Sequence, residues 1–194
     1  MATPTLRIAQ DPDADALLAR DPLALLIGML LDQRFPMERA FGAPWQLALR
    51  LGRKTLDAGE IAAWDPDAFA KVMAGPPALH RYPAAMAGRV QALCTHVVQE
   101  HAGDAANLWR TAGSGRELLA RVRALPGFGE QKARIFVALL GKQLGVRPEG
   151  WREAAGPYGQ EGTHRSVADV TDASSLAQVR AFKQAAKQAT AQSG

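Results

Sequence analysis

Apolar residues recur along this chain at helical spacing and nowhere alternate with polar ones for long, so the sequence predicts an all-α protein. Asp11-Pro12 and Asp21-Pro22 each read as a helix start, with Asp as the cap and Pro at the first helical position. The second opens Leu23 to Leu31, apolar on nearly every side, as in a helix buried all round. Gly42-Ala-Pro44 interrupts the pattern before a helix over 45–51. Asp57 caps a short piece to Ala63, Asp65-Pro66 starts another through Val72, and Gly75-Pro-Pro77 is a strong breaker. A longer helix is predicted from about Pro83 to His101, with Met86, Val90, Leu93 and Val97 on one face.

Helices over about 105–112 and 115–124 follow, then a glycine-rich turn, then a helix from about Gln131 to Leu144 closed by Gly145. Residues 145–165 read as irregular, except for a turn or two near Trp151. A last helix, about 174–188, takes Asp172 or Ser174 as its cap, and the tail beyond Lys187 is expected to fray. No internal repeat is visible.

Composition narrows the classes. A single cysteine, Cys94, leaves no disulfide within the chain and no four-cysteine zinc or iron–sulfur site; the expected compartment is cytoplasmic. Leu23 to Leu31 is about half the ~20 apolar residues a membrane span requires. Asp11, Asp13 and Asp15 stand where a signal peptide would be basic. His96 and His101 share a helix without an H-x-x-x-H spacing, and no metal site is expected. Net charge is +4, but residues 1–120 hold 12 basic and 13 acidic side chains while 121–194 hold 11 and 6. The basic excess therefore lies in the C-terminal part, where it would attract a polyanion.

That part begins near Leu125-Pro-Gly-Phe-Gly129, a turn between two amphipathic helices. Gly127 and Gly129 permit positive φ and leave no side chain between backbone amides and an approaching anion. The next helix starts there and points its free N–H groups the same way. Leu125 and Phe128 would pin the turn to the core, and Lys132 and Arg134 would add charge. Pro-Gly-Phe-Gly alone also suits a plain inter-helix turn; the full L-P-G-F-G-x-x-x-A pattern, flanked by apolar helices, favours a phosphate-gripping hairpin.

The segment resembles the hairpin of the helix-hairpin-helix DNA glycosylase superfamily, the group of endonuclease III and alkyladenine glycosylase. The likeness extends to Leu25-Leu-Ile-Gly-Met-Leu-Leu-Asp-Gln33, to the helix over 86–101 and to Gly103-Asp104, so that residues 20–155 can be laid on the family. The nearest group is a short bacterial one lacking the iron–sulfur cluster. The resemblance implies two helical lobes, residues 21–140 and residues 1–20 plus 141–194, with damaged double-stranded DNA across the cleft. It implies a monomer in the bacterial nucleoid that requires no cofactor, with a structural monovalent cation at the hairpin carbonyls.

The chemistry implied is cleavage of an N-glycosidic bond after the nucleotide is flipped into a pocket, with a carboxylate supporting positive charge at the sugar. Family members with lyase activity carry a nucleophilic lysine where this chain has Gln131. Lys132 is one residue on, about 100° round a helix. Hydrolysis without strand cleavage is therefore expected. Glu149 matches the family's carboxylate, with Glu153 and Asp169 as alternatives, although Glu149 also reads as a solvated loop residue. Gln33 matches a position that enters the minor groove and could equally satisfy local backbone, while Arg34 would contact phosphate or solvent. His80, Arg81 and Tyr82 match a wedging loop, with Tyr82 as a helix staple the other reading. Trp151 and Tyr158, with His164 and Arg165 nearby, could line a base pocket, and Trp151 suits the core as well. A non-catalytic DNA-binding or damage-sensing module is the second reading of the whole, and a helical interaction protein the third.

Overall fold

Asp11, Asp21, Asp57, Asp65, Ser114 and Asp172 each accept a backbone N–H of the first turn that follows them. These caps start six of the eleven α-helices in the computed structural model, which describes residues 2–193. The helices are α1 (Pro12–Arg20), α2 (Pro22–Leu31), α3 (Met37–Arg50), α4 (Ala58–Ala63), α5 (Pro66–Ala74), α6 (Pro83–His101), α7 (Asn107–Arg110), α8 (Gly115–Arg123), α9 (Glu130–Gln143), α10 (Trp151–Ala155) and α11 (Ala173–Gln192). Short 3-10 turns occupy Gly156–Gly159 and Val167–Asp169, and no strand occurs among the described residues. The protein is all-α. No described helix is long and apolar enough to cross a membrane.

Three elements depart from the sequence pattern. Gly42 and Pro44 do not break the chain: α3 runs through both, with Pro44 buried among Phe41, Ala43, Leu47 and Ala48. Burial of that face against α1 and α2 outweighs the lost backbone donor. The helix expected over 105–112 shrinks to the four residues of α7, because Asp104 caps a turn over 104–106 through Ala106 N–H. Finally, α11 continues through Gln192 instead of stopping near Lys187.

The centre of the molecule is α2, nine of whose ten residues are buried. Gly28 lets α3 approach, since a Cβ there would lie 2.6 Å from the Phe41 ring. Asp21 ties this helix to the chain beyond α3: Oδ1 caps α2 while Oδ2 accepts Leu56 N–H at 2.7 Å. Burial pushes its carboxyl up, and three backbone donors oppose that shift. Asp15 similarly accepts Ile8 and Ala9 N–H at 2.8 Å and holds the leading segment on α1.

Helices α8 and α9 lie side by side around the glycine turn, and α10 packs on both. Gly141 makes room for the Trp151 ring, which is buried against it. α1 lies on α2 and α3, whereas α10 and both 3-10 turns lie on α9. α11 reaches the N-terminal half through the ion pairs Arg180–Glu38 and Lys183–Asp32.

Candidate functional site

The turn between α8 and α9 closes with Phe128 N–H donating to Leu125 O at 3.1 Å, and both side chains are buried. Phe128 meets Phe136 edge to face, with ring centroids 6.1 Å apart. The two glycines serve different ends. Gly127 has φ +83° and sits so close to α2 that a Cβ would lie 2.5 Å from Leu30 Cδ1. Gly129 is extended, with φ −77° and ψ −179°, and a Cβ there would meet nothing within 4 Å. Its exposed position caps α9 without any side-chain acceptor, so the first amides of that helix stay open to an anion. The carbonyls of Pro126, Gly127 and Phe128 accept no protein donor among the described residues. No group of three His, Cys, Asp or Glu side chains that could hold a metal exists among the described residues.

The cations expected to flank the turn are occupied elsewhere. Lys132 points inward, its ammonium donating to Met29 O at 2.8 Å and Leu30 O at 3.1 Å. The Arg134 guanidinium binds Glu130 at 2.7 Å and Ala154 O at 2.9 Å. Arg123 also pairs with Glu130 at 2.7 Å, so the one acid in the first turn of α9 is held between two arginines. This neutralises the acid that would repel an anion at the helix end.

Lys132 belongs to a cluster that converges on the C-terminus of α2. Gln33 Nε2 donates to Leu30 O at 2.8 Å, and its Oε1 accepts Arg89 at 3.0 Å. His80 is buried; its Nε2 lies 3.1 Å from both Leu31 O and Gln33 O, and its Nδ1 accepts Tyr82 N–H at 3.0 Å. That pattern fixes the neutral Nε2–H tautomer, and burial holds its pKa below the usual histidine value. Asp32, with a side chain only 9% exposed, has Lys183 at 3.5 Å as its sole side-chain partner among the described residues. Burial brings the Lys132 amine down to about 8; nearby Asp32 opposes the shift, and Lys183 and Arg89 add to it. A carboxylate with unused acceptor capacity thus stands beside an amine that is substantially neutral in mild alkali, one turn from the hairpin.

The expected minor-groove and wedge residues divide. Gln33 and His80 are both spent on the protein's own backbone, which for Gln33 is the local role the sequence also allowed. Arg34 is exposed at φ +51°. Arg81 is exposed and lies over the Tyr82 ring, 5.6 Å from its centroid, while Tyr82 is 44% exposed and begins α6. These two form a projecting aromatic–guanidinium pair.

The C-terminal candidates divide too. Tyr158 comes back to the hairpin, its hydroxyl accepting Gln131 Nε2 at 2.9 Å. Trp151 does not line a pocket: it is buried against Gly141, with Arg152 4.5 Å from its ring. His164 precedes Arg165, whose guanidinium lies 5.8 Å from the Phe182 ring. Glu149 is exposed, and its backbone carbonyl accepts Gly115 N–H at 2.7 Å. Gly115 starts α8, whose far end leads into the hairpin, so Glu149 lies roughly 15 Å away from Gly127 and Gly129 along that helix. Glu153 is exposed as well. Asp169 forms a buried pair with Lys142 at 2.6 Å. None of these three carboxylates joins the hairpin cluster.

Asp32, Arg89 and Lys183 escaped the sequence reading. Asp32 had a local signal, adjacency to Gln33 at the end of an apolar helix. Arg89 and Lys183 reach the site only through packing of α6 and α11. Comparison with protein-family models, with curated proteins and with solved structures finds no match for this chain.

Proposed function

We propose that this protein binds duplex DNA through the Leu125–Gly129 hairpin and acts in base-excision repair as a glycosylase that hydrolyses the N-glycosidic bond. The observation that carries the reading is the division of labour between the glycines. Gly127 seats the turn on Leu30, while Gly129 and the uncapped start of α9 stay open. A phosphate fits there without base-specific contact. The exposed Arg81–Tyr82 pair suits a residue that replaces lost stacking. The two-lobed glycosylase architecture belongs to this proposal.

Asp32 supplies the carboxylate in this reading, because it is the acid beside the hairpin cluster with free acceptor capacity. It would take a proton from water as the water oxygen attacks C1′ and the base departs with the electron pair of the C–N bond. The exposed position of Glu149 favours the second reading, a non-catalytic damage-binding module. Duplexes carrying uracil, alkylated purines, oxidised bases or abasic sites separate the two. Excision by the wild type that is lost in Asp32→Asn and kept in Glu149→Gln supports the enzyme. Salt-dependent binding without excision of any base supports the module.

A further inference from the structure

Past its first two turns, α11 buries nothing: Ser175, Leu176 and Val179 are its only buried residues, yet the helix runs on to Gln192. Leu176, Arg180, Lys183 and Lys187 follow one another at steps of four, three and four, a single stripe along the helix. The stripe that is apolar and buried at Leu176 is therefore cationic where the helix overhangs. No acid occurs after Asp172. Two acids of the body face the stripe, Glu38 pairing with Arg180 and Asp32 lying 3.5 Å from Lys183. The Lys183 side chain is still 41% exposed, and Lys187 is exposed without a partner among the described residues. Through Asp32, Lys183 meets the end of α2, where Lys132 of α9 also docks on the carbonyls of Met29 and Leu30.

We propose that the overhanging half of α11 is a second phosphate-binding arm, in which Lys183 and Lys187 grip the DNA backbone flanking the stretch held by the hairpin. This rests on the DNA-binding reading above. Arg180, tied to Glu38, and Leu176 and Val179 in the core root the arm. From Arg180 to Lys187 the stripe spans roughly 10 Å, about three steps of one strand at ~3.4 Å each. A polar helix without a packed face is poorly stabilised by itself, and phosphate neutralisation supplies the missing partner. Charge complementarity, and continuity with the hairpin cluster through Asp32, select the sugar–phosphate backbone as the occupant.

The test is a salt titration of binding to a fluorescent 20-base-pair duplex. In Lys183→Gln/Lys187→Gln the slope of log affinity against log salt should become shallower by about two, roughly a 50-fold loss at 0.1 M salt. Lys183→Arg/Lys187→Arg should keep the wild-type slope. If the Gln pair keeps that slope while Gly129→Val loses affinity, the arm is refuted and the hairpin reading stands. If the wild type shows no salt-dependent binding, both fall.

Discussion

The ammonium of Lys132, on the first turn of α9, lies 3.1 Å from the carbonyl of Leu30 near the end of α2. A cation at a helix C-terminus is favourable, but this one is buried, and its pKa drops from 10.5 to about 8. Between those values the unfolded chain binds more protons than the folded one, so stability rises with pH across that window. The unfolding free energy of the wild type should gain up to roughly 3 kcal/mol relative to Lys132→Met between pH 8 and 10.5. Denaturant titrations at several pH values measure it, and parallel curves for the two proteins would refute it.

The hairpin glycines should respond oppositely to the same substitution. Gly127→Val meets both a positive φ and Leu30, and should destabilise by roughly 2–5 kcal/mol. Gly129→Val enters open space at ordinary backbone angles and should cost about 1 kcal/mol or less. Its effect should instead appear as weakened DNA binding. Thermal melts beside a binding isotherm test both halves.

Lys142 and Asp169 form a buried pair, their side chains 7% and 5% exposed. Lys142→Met would strand a carboxylate that also receives Arg165 N–H at 2.8 Å. A loss of about 3–5 kcal/mol is expected. Replacing both partners by apolar residues should recover part of it in a double-mutant cycle.

Glu149→Gln should change neither stability, beyond about 0.5 kcal/mol, nor DNA affinity, since the carboxylate faces solvent at the far end of α8. A measurable loss of affinity without loss of stability would show that the loop over 144–150 takes another position when DNA is bound.

His80 should make the protein acid-sensitive. Its folded pKa lies below the unfolded value of 6.5, so the neutral ring adds stability above that value, and this contribution declines as pH falls below it. His80→Phe should abolish this dependence and cost about 1–3 kcal/mol at pH 7, because Leu31 O and Gln33 O lose their donor. Chemical denaturation at pH 5 and 7 decides it.

Much of the fold was legible because its signals are local. Asp-Pro pairs mark the starts of α1, α2 and α5, and the unbroken apolar run of α2 announces its central place. Pro44 misled because a breaker is also local, while the burial that carries α3 through it is not. Within the site, spacing showed that Lys132 points about 100° away from Gln131. It could not show that the end of α2 waits there, or that Arg89 and Lys183 arrive from helices far along the chain. Glu149 matches the family's carboxylate by position along the chain, and the path of the chain after α9 carries it away from the hairpin.

The carbonyls at the end of α2 and just beyond it are held from two sides. Lys132 holds those of Met29 and Leu30, and His80 holds those of Leu31 and Gln33. The first residue belongs to the hairpin helix, and the second sits just before Arg81 and Tyr82. One helix end therefore sets the distance between the turn that would grip a strand and the pair that would probe it. On the proposed reading, a strand seated at the turn would meet the pair at a spacing fixed by that helix end.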